Sequence, residues 1–390
     1  MSQTSPSQRL FSLDALRGFD MFWIIGGEEI FHSLFKITGS PFWGAIANQF
    51  THPDWNGFHL YDCIFPLFLF MAGVATPYSV GRELEKGTPK SKLVVRVARR
   101  ALILVILGII KNNGMGLHPF SEIRFGSVLG RIGLAYMFAN IIYIYTTKSS
   151  TRWIWFAGIL LGYWAMFLLF AAPGFHPGNL TMQGNIASYI DRCLLPGKLY
   201  LGIHDPEGLA STIPAVATGL LGIQAGILLK SSTLTPTAKS IRLAIAGAIA
   251  IIIAEGWNHG FFIDKSFWST PVLERTRSLV FPINKNLWTS SFVLEAGGLS
   301  LILLATFYYI IDVLGYKKWA FFFSVIGMNS ILIYMSSRVI NWGYATKGIF
   351  QWAGDLAGEP WNEFVMVWCL LAVKWAFLYF MYRKKVFLRV

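Results

Sequence analysis

Long apolar runs recur along almost the whole chain, and they constrain its fold more than any other feature. A run of about 20 apolar residues is long enough to cross a bilayer as an α-helix. Segments that fit this length lie near 11–35, 60–80, 93–111, 126–146, 152–171, 211–229, 241–257, 289–312, 319–340 and 362–382. Because a backbone inside lipid must satisfy its own hydrogen bonds, the sequence predicts an all-α polytopic bundle of about ten transmembrane helices.

The composition excludes most other classes of protein. Hydrophobic residues make up 54% of the 390 residues and charged residues only 14%, whereas a soluble globular chain has about 25% charged residues. The high aromatic content excludes disorder, and three cysteines cannot form a disulfide scaffold, so we interpret Cys63, Cys193 and Cys369 as packing thiols. With no fixed-period repeat and no long linker, we expect a single multi-pass membrane domain over residues 1–390.

The net charge of +13 is better explained by membrane orientation than by nucleic-acid binding. With a cytoplasmic N-terminus, the short inner connections hold 14 Lys and Arg. The much longer outer connections hold 9, at about a fourfold lower density. The positive-inside rule therefore places both termini in the cytoplasm. It also places most histidines outside, namely His52, His59, His118, His176, His204 and His259.

The first apolar segment carries charges that lipid would not tolerate without partners. Asp14, Arg17 and Asp20 follow at three-residue steps on one helical face, so Arg17 can neutralise both carboxylates. Glu28 and Glu29 lie near the outer end of the same segment. There, a solvated interfacial pair and a functional carboxylate are equally consistent with the sequence.

The loop before the second apolar segment has a defined shape and carries a histidine. Pro53 restricts His52 to extended backbone, and Asn56 and Gly57 form a turn. A histidine held in this way can accept a proton from an amine or hydroxyl near neutral pH, although many loop histidines are only solvated or capping residues. Asp62 could orient that imidazole or only cap its own helix.

Further polar residues interrupt later apolar segments, and each needs a hydrogen-bond partner in lipid. They include Arg131, Gln224 and Asn329. A buried Arg131 guanidinium would pair readily with a phosphate or carboxylate. No Walker loop, dinucleotide fingerprint, zinc cluster or serine nucleophile elbow is present in the sequence. These patterns alone are consistent with both a transporter and an enzyme.

Several segments, in the same order over nearly the whole chain, resemble the heparan-α-glucosaminide N-acetyltransferases and their bacterial relatives. The opening Arg9–Gly18 is similar to that of membrane acyltransferases more broadly. The narrower resemblance is carried by His52–Gly57, Tyr61–Pro66, Asp205–Gly208, Gly222–Gly226, Asn284–Trp288 and Gly327–Leu332. The large extramembrane N-terminal region of the animal enzyme has no counterpart in this sequence.

The resemblance implies a transmembrane N-acetyltransferase. Such an enzyme moves the acetyl group of cytoplasmic acetyl-CoA, used as a co-substrate without a metal, to the amino group of a glucosamine-type sugar or glycosaminoglycan-derived acceptor outside. His52 matches the family's catalytic histidine, acting as base or acyl carrier, and Asp62 accompanies it. Glu28 stands where the family has an asparagine, and Arg131, Asn286 and Asn329 are candidates for the donor site.

The same resemblance implies a bacterial inner membrane as the location. The alternative that the residues leave open is a transporter of an amino sugar or muropeptide. That reading would be favoured by interrupted helices in symmetric halves, which the sequence does not display. The identity of the acceptor and the oligomeric state, a homo-oligomer included, are left open by the sequence.

Overall fold

Every regular element of the described chain is a helix, as the apolar runs predict. The computed structural model of the protein describes residues 10–116, 118–260 and 279–388. Among these residues no strand occurs, and the one isolated bridge joins Arg124 to Gly197. Part of the expected outer connection 258–288, the N-terminal Arg9 and the C-terminal Arg389 lie outside the described residues. The all-α fold class is therefore confirmed.

Two units of residues can be distinguished by their internal contacts. The larger unit comprises His52–Thr233 and Ile245–Ile302. Its helices are Leu60–Cys63 (a 3₁₀ turn), Ile64–Glu85, Lys90–Asn113, Phe120–Glu122 (3₁₀), Val128–Tyr145, Ser149–Leu169, Ile186–Leu194 and Leu209–Lys230. It also holds parts of Pro236–His259 and Ser290–Tyr308, which contribute residues to both units.

Small residues bring the two central helices of the larger unit together. A Cβ on Gly73 would lie 2.3 Å from the carbonyl oxygen of Gly219, and a Cβ on Gly222 would lie 2.0 Å from that of Phe70. Close backbone approach at small residues is a common way of packing helices in lipid. Leu209–Lys230 consequently forms the buried centre of this unit, and its first turn and that of Ile64–Glu85 begin beside the candidate site.

The smaller unit comprises Met1–Thr51, Leu234–Ala244 and Leu303–Arg389. Its helices are Phe11–Phe22, Trp23–Gly27 (π), Glu29–Thr38, Pro41–Gln49, Tyr309–Val313 (π), Ala320–Gly327, Ser330–Ser336, Trp342–Ala357 and Asn362–Arg383. Gly327 packs against the first of these helices, where a Cβ would lie 2.0 Å from the carbonyl oxygen of Asp14.

Seven helices of the described chain are long and apolar enough to cross a membrane. They are Leu60–Glu85, Val128–Tyr145, Ser149–Leu169, Leu209–Lys230, Pro236–His259, Ser290–Val313 and Asn362–Arg383. The protein is thus a multi-pass membrane protein. The expected count of about ten is not confirmed, and the orientation of the termini stays a prediction.

The three remaining predicted spans differ from these seven helices in identifiable ways. Segment 11–35 is interrupted by a π-helix whose Gly26 has a φ of 124°, and segment 319–340 breaks at Asn329. Lys90–Asn113 is a continuous helix of 24 residues, but every stretch of 18 residues in it contains at least three Lys or Arg. Hydrophobic periodicity alone did not reveal the interruptions at Gly26 and Asn329.

Candidate active site around His52

The loop that carries His52 is tied to the segment preceding Ser290. The Gly57 N–H donates to the carbonyl oxygen of Ile283 at 2.8 Å, and the Asn284 side-chain amide donates to the Asn56 side chain at 3.0 Å. Gly57 has a φ of 125°, a backbone conformation that favours glycine. The Asn-Gly turn therefore joins two motifs that are more than 200 residues apart in sequence.

His52 contacts Asp62 directly. Its Nδ1 lies 2.7 Å from Asp62 Oδ1, and the imidazole is 45% exposed whereas the carboxylate is fully buried. Because the carboxylate accepts at Nδ1, a neutral imidazole carries its proton there and keeps Nε2 as a proton acceptor. The exposed ring thus has an oriented base beside the surface.

Asp62 performs both of the tasks considered for it from the sequence. Besides His52, it accepts the backbone N–H of His59 at 3.0 Å through its other oxygen. That contact belongs to the capping box of the Leu60–Cys63 turn. The cap holds the carboxylate in one orientation, and this orientation in turn directs the imidazole.

Lys285 completes the cluster, and sequence reasoning did not single it out. Its Nζ lies 3.3 Å from Asp62 Oδ1, 3.0 Å from His52 Nε2 and 3.2 Å from His52 Nδ1. An atom almost equally distant from both ring nitrogens lies over the ring face, not along a lone pair in its plane. The ammonium therefore brings positive charge to the imidazole face without capping Nε2 in the ring plane.

Burial lowers the pKa of Lys285 from its ordinary value, although Asp62 acts in the opposite direction. The signal that could have revealed this residue is a lysine between two asparagines, directly before an apolar helix, in one of the segments whose resemblance to a known family was noted in the sequence. A lysine so placed needs a buried carboxylate as its partner, and only the fold shows that Asp62 supplies it.

Arg131 lies close to Lys285 and is 4% exposed. Its guanidinium donates to the carbonyl oxygen of Pro206 and to the Ser211 hydroxyl. It also lies 4.6 Å from the centre of the Trp288 ring. Within the protein, the described partners of Arg131 are thus a carbonyl, a hydroxyl and an aromatic face, and its role at the donor site stays a prediction.

A second arginine organises the neighbouring loop. Arg124 binds Asp205 through two hydrogen bonds of 2.8 and 2.7 Å and also pairs with Glu207. These charge-assisted bonds hold the pKa of Asp205 below its ordinary value even though burial acts to raise it. The Asp205–Gly208 motif is consequently a fixed turn whose Pro206 carbonyl is aimed at Arg131.

Two buried groups beneath this turn have strongly shifted ionisation. Burial lowers the pKa of His204 to about 4, and its Nδ1 lies 2.7 Å from the Ser188 hydroxyl. Burial raises the pKa of Asp191 to about 6, and this carboxylate accepts the N–H of Ala210 at 3.1 Å. His204 is thus a neutral structural histidine, and Asp191 caps the helix Leu209–Lys230.

We expect acidification to destabilise the protein through His204. A histidine whose folded pKa lies below its unfolded value of about 6.5 stabilises the fold fully above that value, and this stability is lost as the pH falls toward 4. Between pH 7 and pH 5 the loss amounts to about 2 kcal/mol. Unfolding in detergent, followed at both pH values for the wild type and for His204→Gln, measures this difference.

Comparing the wild type with His204→Gln isolates the contribution of the histidine. Asp191 is present in both proteins, and it changes the stability with pH in the opposite direction. Its raised pKa stabilises the fold at low pH, and this contribution is lost as the pH rises through about 6. An equal pH dependence in wild type and His204→Gln would contradict the assignment of a buried neutral histidine.

Three further residues predicted for the site lie each within one of the two units. Asn286 is half-buried and follows Lys285 directly. Asn329 lies in the smaller unit, where its amide donates to the Val386 carbonyl at 2.9 Å and accepts the Leu388 N–H at 3.1 Å. Glu28 also belongs to the smaller unit, at the residue between Gly27 and the helix Glu29–Thr38. The roles assigned to these three residues stay predictions.

A wide basic pocket lies at the far end of the helix Leu60–Glu85, within the same unit. Its volume is about 770 Å³, and three cationic side chains and one acidic side chain line it, namely Lys90, Arg152, Lys230 and Glu85. Lys230 pairs with Glu85 at 2.6 Å, so two cations remain in excess. Hydroxyl groups of Tyr143, Thr146, Thr147, Ser231 and Ser232 belong to the same lining. Such a pocket suits a multiply charged anion.

The family described as heparan-alpha-glucosaminide N-acetyltransferase, catalytic, matches residues 9–189 of the chain. This range includes His52, Asp62 and Arg131. Lys285 lies outside it, in a part of the chain that the following relatives cover.

The chain is also similar over its full length to two curated proteins. The heparan-alpha-glucosaminide N-acetyltransferase of Mus musculus is 26% identical over 100% of this chain and 62% of the relative. That of Homo sapiens is 26% identical over 98% of this chain and 60% of the relative. The chain spans about three fifths of the length of these curated relatives. The resemblance seen in the sequence motifs is confirmed.

Proposed function

We propose that this chain, a relative of the heparan-alpha-glucosaminide N-acetyltransferases, is a membrane-embedded acetyltransferase. It transfers the acetyl group of cytoplasmic acetyl-CoA to the amino group of a glucosamine-type sugar on the outer side of the membrane. The bacterial inner membrane, with its outer side facing the periplasm, is the location we propose. The observation that carries the proposal is the contact between His52 Nδ1 and the buried Asp62 carboxylate, which orients a partly exposed imidazole with Nε2 as its proton-accepting nitrogen.

The cluster of His52, Asp62 and Lys285 has the chemistry that acetyl transfer to an amine needs. An ammonium acceptor must lose a proton before its nitrogen can attack a thioester carbonyl, and an imidazole is a suitable base near neutral pH. As the new C–N bond forms and the C–S bond breaks, the carbonyl oxygen carries negative charge. The Lys285 ammonium, 3.0 Å from Nε2, is placed to stabilise that charge.

The products balance without an additional reactant. The acceptor becomes an amide, the coenzyme leaves as a thiol, and the proton of the ammonium is released through His52 to the outer solution. A route in which His52 first carries the acetyl group uses the same Nε2 atom, because that nitrogen keeps its lone pair while Nδ1 donates to Asp62. Both routes therefore place the reacting groups beside the same edge of the imidazole, with the acceptor nitrogen against Nε2 in direct transfer and the carbonyl carbon against it when His52 carries the acetyl group.

The basic pocket supports a donor that approaches from the opposite side. Asp62 lies at the beginning of the helix Leu60–Glu85, and the pocket lies around Pro77, Gly81 and Glu85 at its end. At 1.5 Å per residue these ends are roughly 30 Å apart, about the thickness of the hydrocarbon core. Because coenzyme A is too highly charged to cross lipid, a phosphate-binding pocket on one side and a base on the other suit a two-sided transferase.

Reconstitution into liposomes tests the proposed function. With radiolabelled acetyl-CoA outside and glucosamine or a heparan-derived amine inside, we expect labelled N-acetyl sugar to accumulate in the lumen of vesicles whose protein has its cytoplasmic side outward. A panel of amino sugars, cell-wall fragments and simple amines identifies the acceptor. Vesicles containing His52→Ala protein are the control.

Two results would contradict the proposal. Uptake of unmodified amino sugar without acetylation would indicate the transporter instead. Acetylation only when donor and acceptor are on the same side would refute the two-sided arrangement.

A further inference from the structure

A second, much smaller pocket begins one side chain away from His52. It is lined by Phe65, Leu69, Val128, Arg131, Ile132, Pro206, Glu207, Lys285 and Trp288. Its cavity volume is about 10 Å³, close to the ~10–15 Å³ that one water molecule requires. A methyl group is slightly larger than a water molecule and is the smallest apolar group that an acyl chain can present. The space is therefore of the order of one methyl group and is smaller than a longer chain.

Lys285 connects this pocket to the reacting groups. The same ammonium that lies 3.0 Å from His52 Nε2 lies 5.5 Å from the centre of the Phe65 ring. Phe65 follows Asp62 by three residues, so both stand on the first turn of one helix. A carbonyl carbon placed against Nε2 would thus have the pocket directly beside it.

Trp288 forms a second wall of the pocket. It is 3% exposed and has a φ of 52°, a left-handed conformation that is strained for a bulky residue. Arg131 covers its ring at 4.6 Å, and its Nε1 donates to the Thr218 hydroxyl at 3.5 Å. Strain that the surroundings maintain in this way is typical of a wall with a defined function.

The third wall consists of two half-buried aliphatic side chains. Val128 and Ile132 are four residues apart on the helix Val128–Tyr145, so they stand on one face. Leu69, which is 1% exposed, closes the pocket from the helix Ile64–Glu85. Hydrophobic contacts thus surround the space, and only Arg131, Glu207 and Lys285 bring charge to its rim.

We infer that this pocket holds the methyl group of the transferred acetyl unit and restricts the enzyme to two-carbon acyl donors, with Val128 and Ile132 as residues that determine acyl-chain length. The inference rests on the proposed function and adds to it the donor specificity of the same site. In this position the thioester carbonyl faces Nε2 and the Lys285 ammonium, while the methyl group points between Phe65 and Trp288.

Donor selectivity of the purified wild-type enzyme is the first readout. An apolar pocket that is too small for one additional methylene changes kcat/KM by about 10-fold to 200-fold. We therefore expect kcat/KM to fall at least about 10-fold from acetyl-CoA to propionyl-CoA and at least about 100-fold to butyryl-CoA.

Enlarging the pocket should relax this selectivity. Ile132→Ala removes three carbons from the wall, and we expect it to raise the ratio of butyryl to acetyl transfer by at least about 10-fold. Val128→Ala repeats the test one turn earlier in the same helix, should the first variant fold poorly. Ile141→Ala is the matched control, because Ile141 is half-buried in the same helix and lines neither pocket.

Two outcomes would overturn the inference, and they separate it from the proposed function. Acetyl transfer at normal rates, with a butyryl-to-acetyl ratio that is the same in Ile132→Ala, Val128→Ala and Ile141→Ala, would refute the acyl pocket and leave the acetyltransferase intact. Absence of transfer from any acyl-CoA to any amine by the wild type would refute both.

Discussion

His52→Ala is expected to lower acetyl transfer by about 10²–10⁴-fold, the usual range for the loss of a general acid or base. The imidazole is the exposed member of the cluster, with Nδ1 directed to Asp62 at 2.7 Å and Nε2 available to the acceptor. Its removal leaves the basic pocket at the other end of Leu60–Glu85 unchanged. Turnover of labelled acetyl-CoA in a chemistry-limited assay, together with direct measurement of acetyl-CoA binding, separates the two effects.

Two other histidines serve as controls for this variant. His176 is exposed, and the described hydrogen bond of its imidazole goes to the carbonyl of its neighbour Pro177, so His176→Ala should keep nearly full activity. His59→Ala should also be mild. Near wild-type turnover of His52→Ala would remove His52 from the reaction, whereas loss of acetyl-CoA binding in this variant would indicate a folding defect instead.

Asp62→Asn is expected to reduce kcat by about 10²–10⁴-fold, with little change in the KM for acetyl-CoA. The carboxylate accepts from three donors, namely His52 Nδ1, the His59 backbone and the Lys285 ammonium. An asparagine has one acceptor oxygen, so its NH₂ group must face at least one of them. Where the NH₂ faces His52, it favours the imidazole tautomer protonated at Nε2, which cannot act as a base.

The same substitution leaves the Lys285 ammonium without its buried countercharge, and some destabilisation is therefore expected alongside the kinetic effect. Thermal unfolding in detergent measures that part independently. Asp54→Asn is the matched control, because Asp54 is an exposed carboxylate in the same loop. Asp62→Asn protein that is folded and fully active would show that Asp62 serves only as a helix cap.

The sequence alone was sufficient for the class of the protein and for the shaped loop that carries His52. Apolar runs of membrane-spanning length predicted an all-helical membrane protein, because lipid permits few other backbones. The Pro53 and Asn56-Gly57 signals predicted a shaped loop at His52, and the structure has that loop. These inferences succeeded because they depend on local chemistry, which residues close in sequence determine.

The number of spans stays a prediction, and a hydropathy pattern does not reveal where a helix is interrupted. The interruptions at Gly26 and Asn329 depend on backbone conformations that tertiary packing selects. In Lys90–Asn113 the helix is continuous, although its first half carries basic residues that lipid disfavours. A continuous helix therefore does not by itself show that a segment crosses the membrane.

The contacts of Lys285 with His52 and Asp62, and the small pocket, could be found only in the tertiary structure. Lys285 is 233 residues from His52, and no spacing rule connects them. Trp288 forms a pocket wall because its backbone is held in a left-handed conformation, which its residue type disfavours. The sequence by itself thus determined which residues can do chemistry in a membrane. Only packing between distant segments decided which of these residues meet. The physical reason is that the free energy of a contact depends on burial and distance, and the order of residues in the sequence specifies neither.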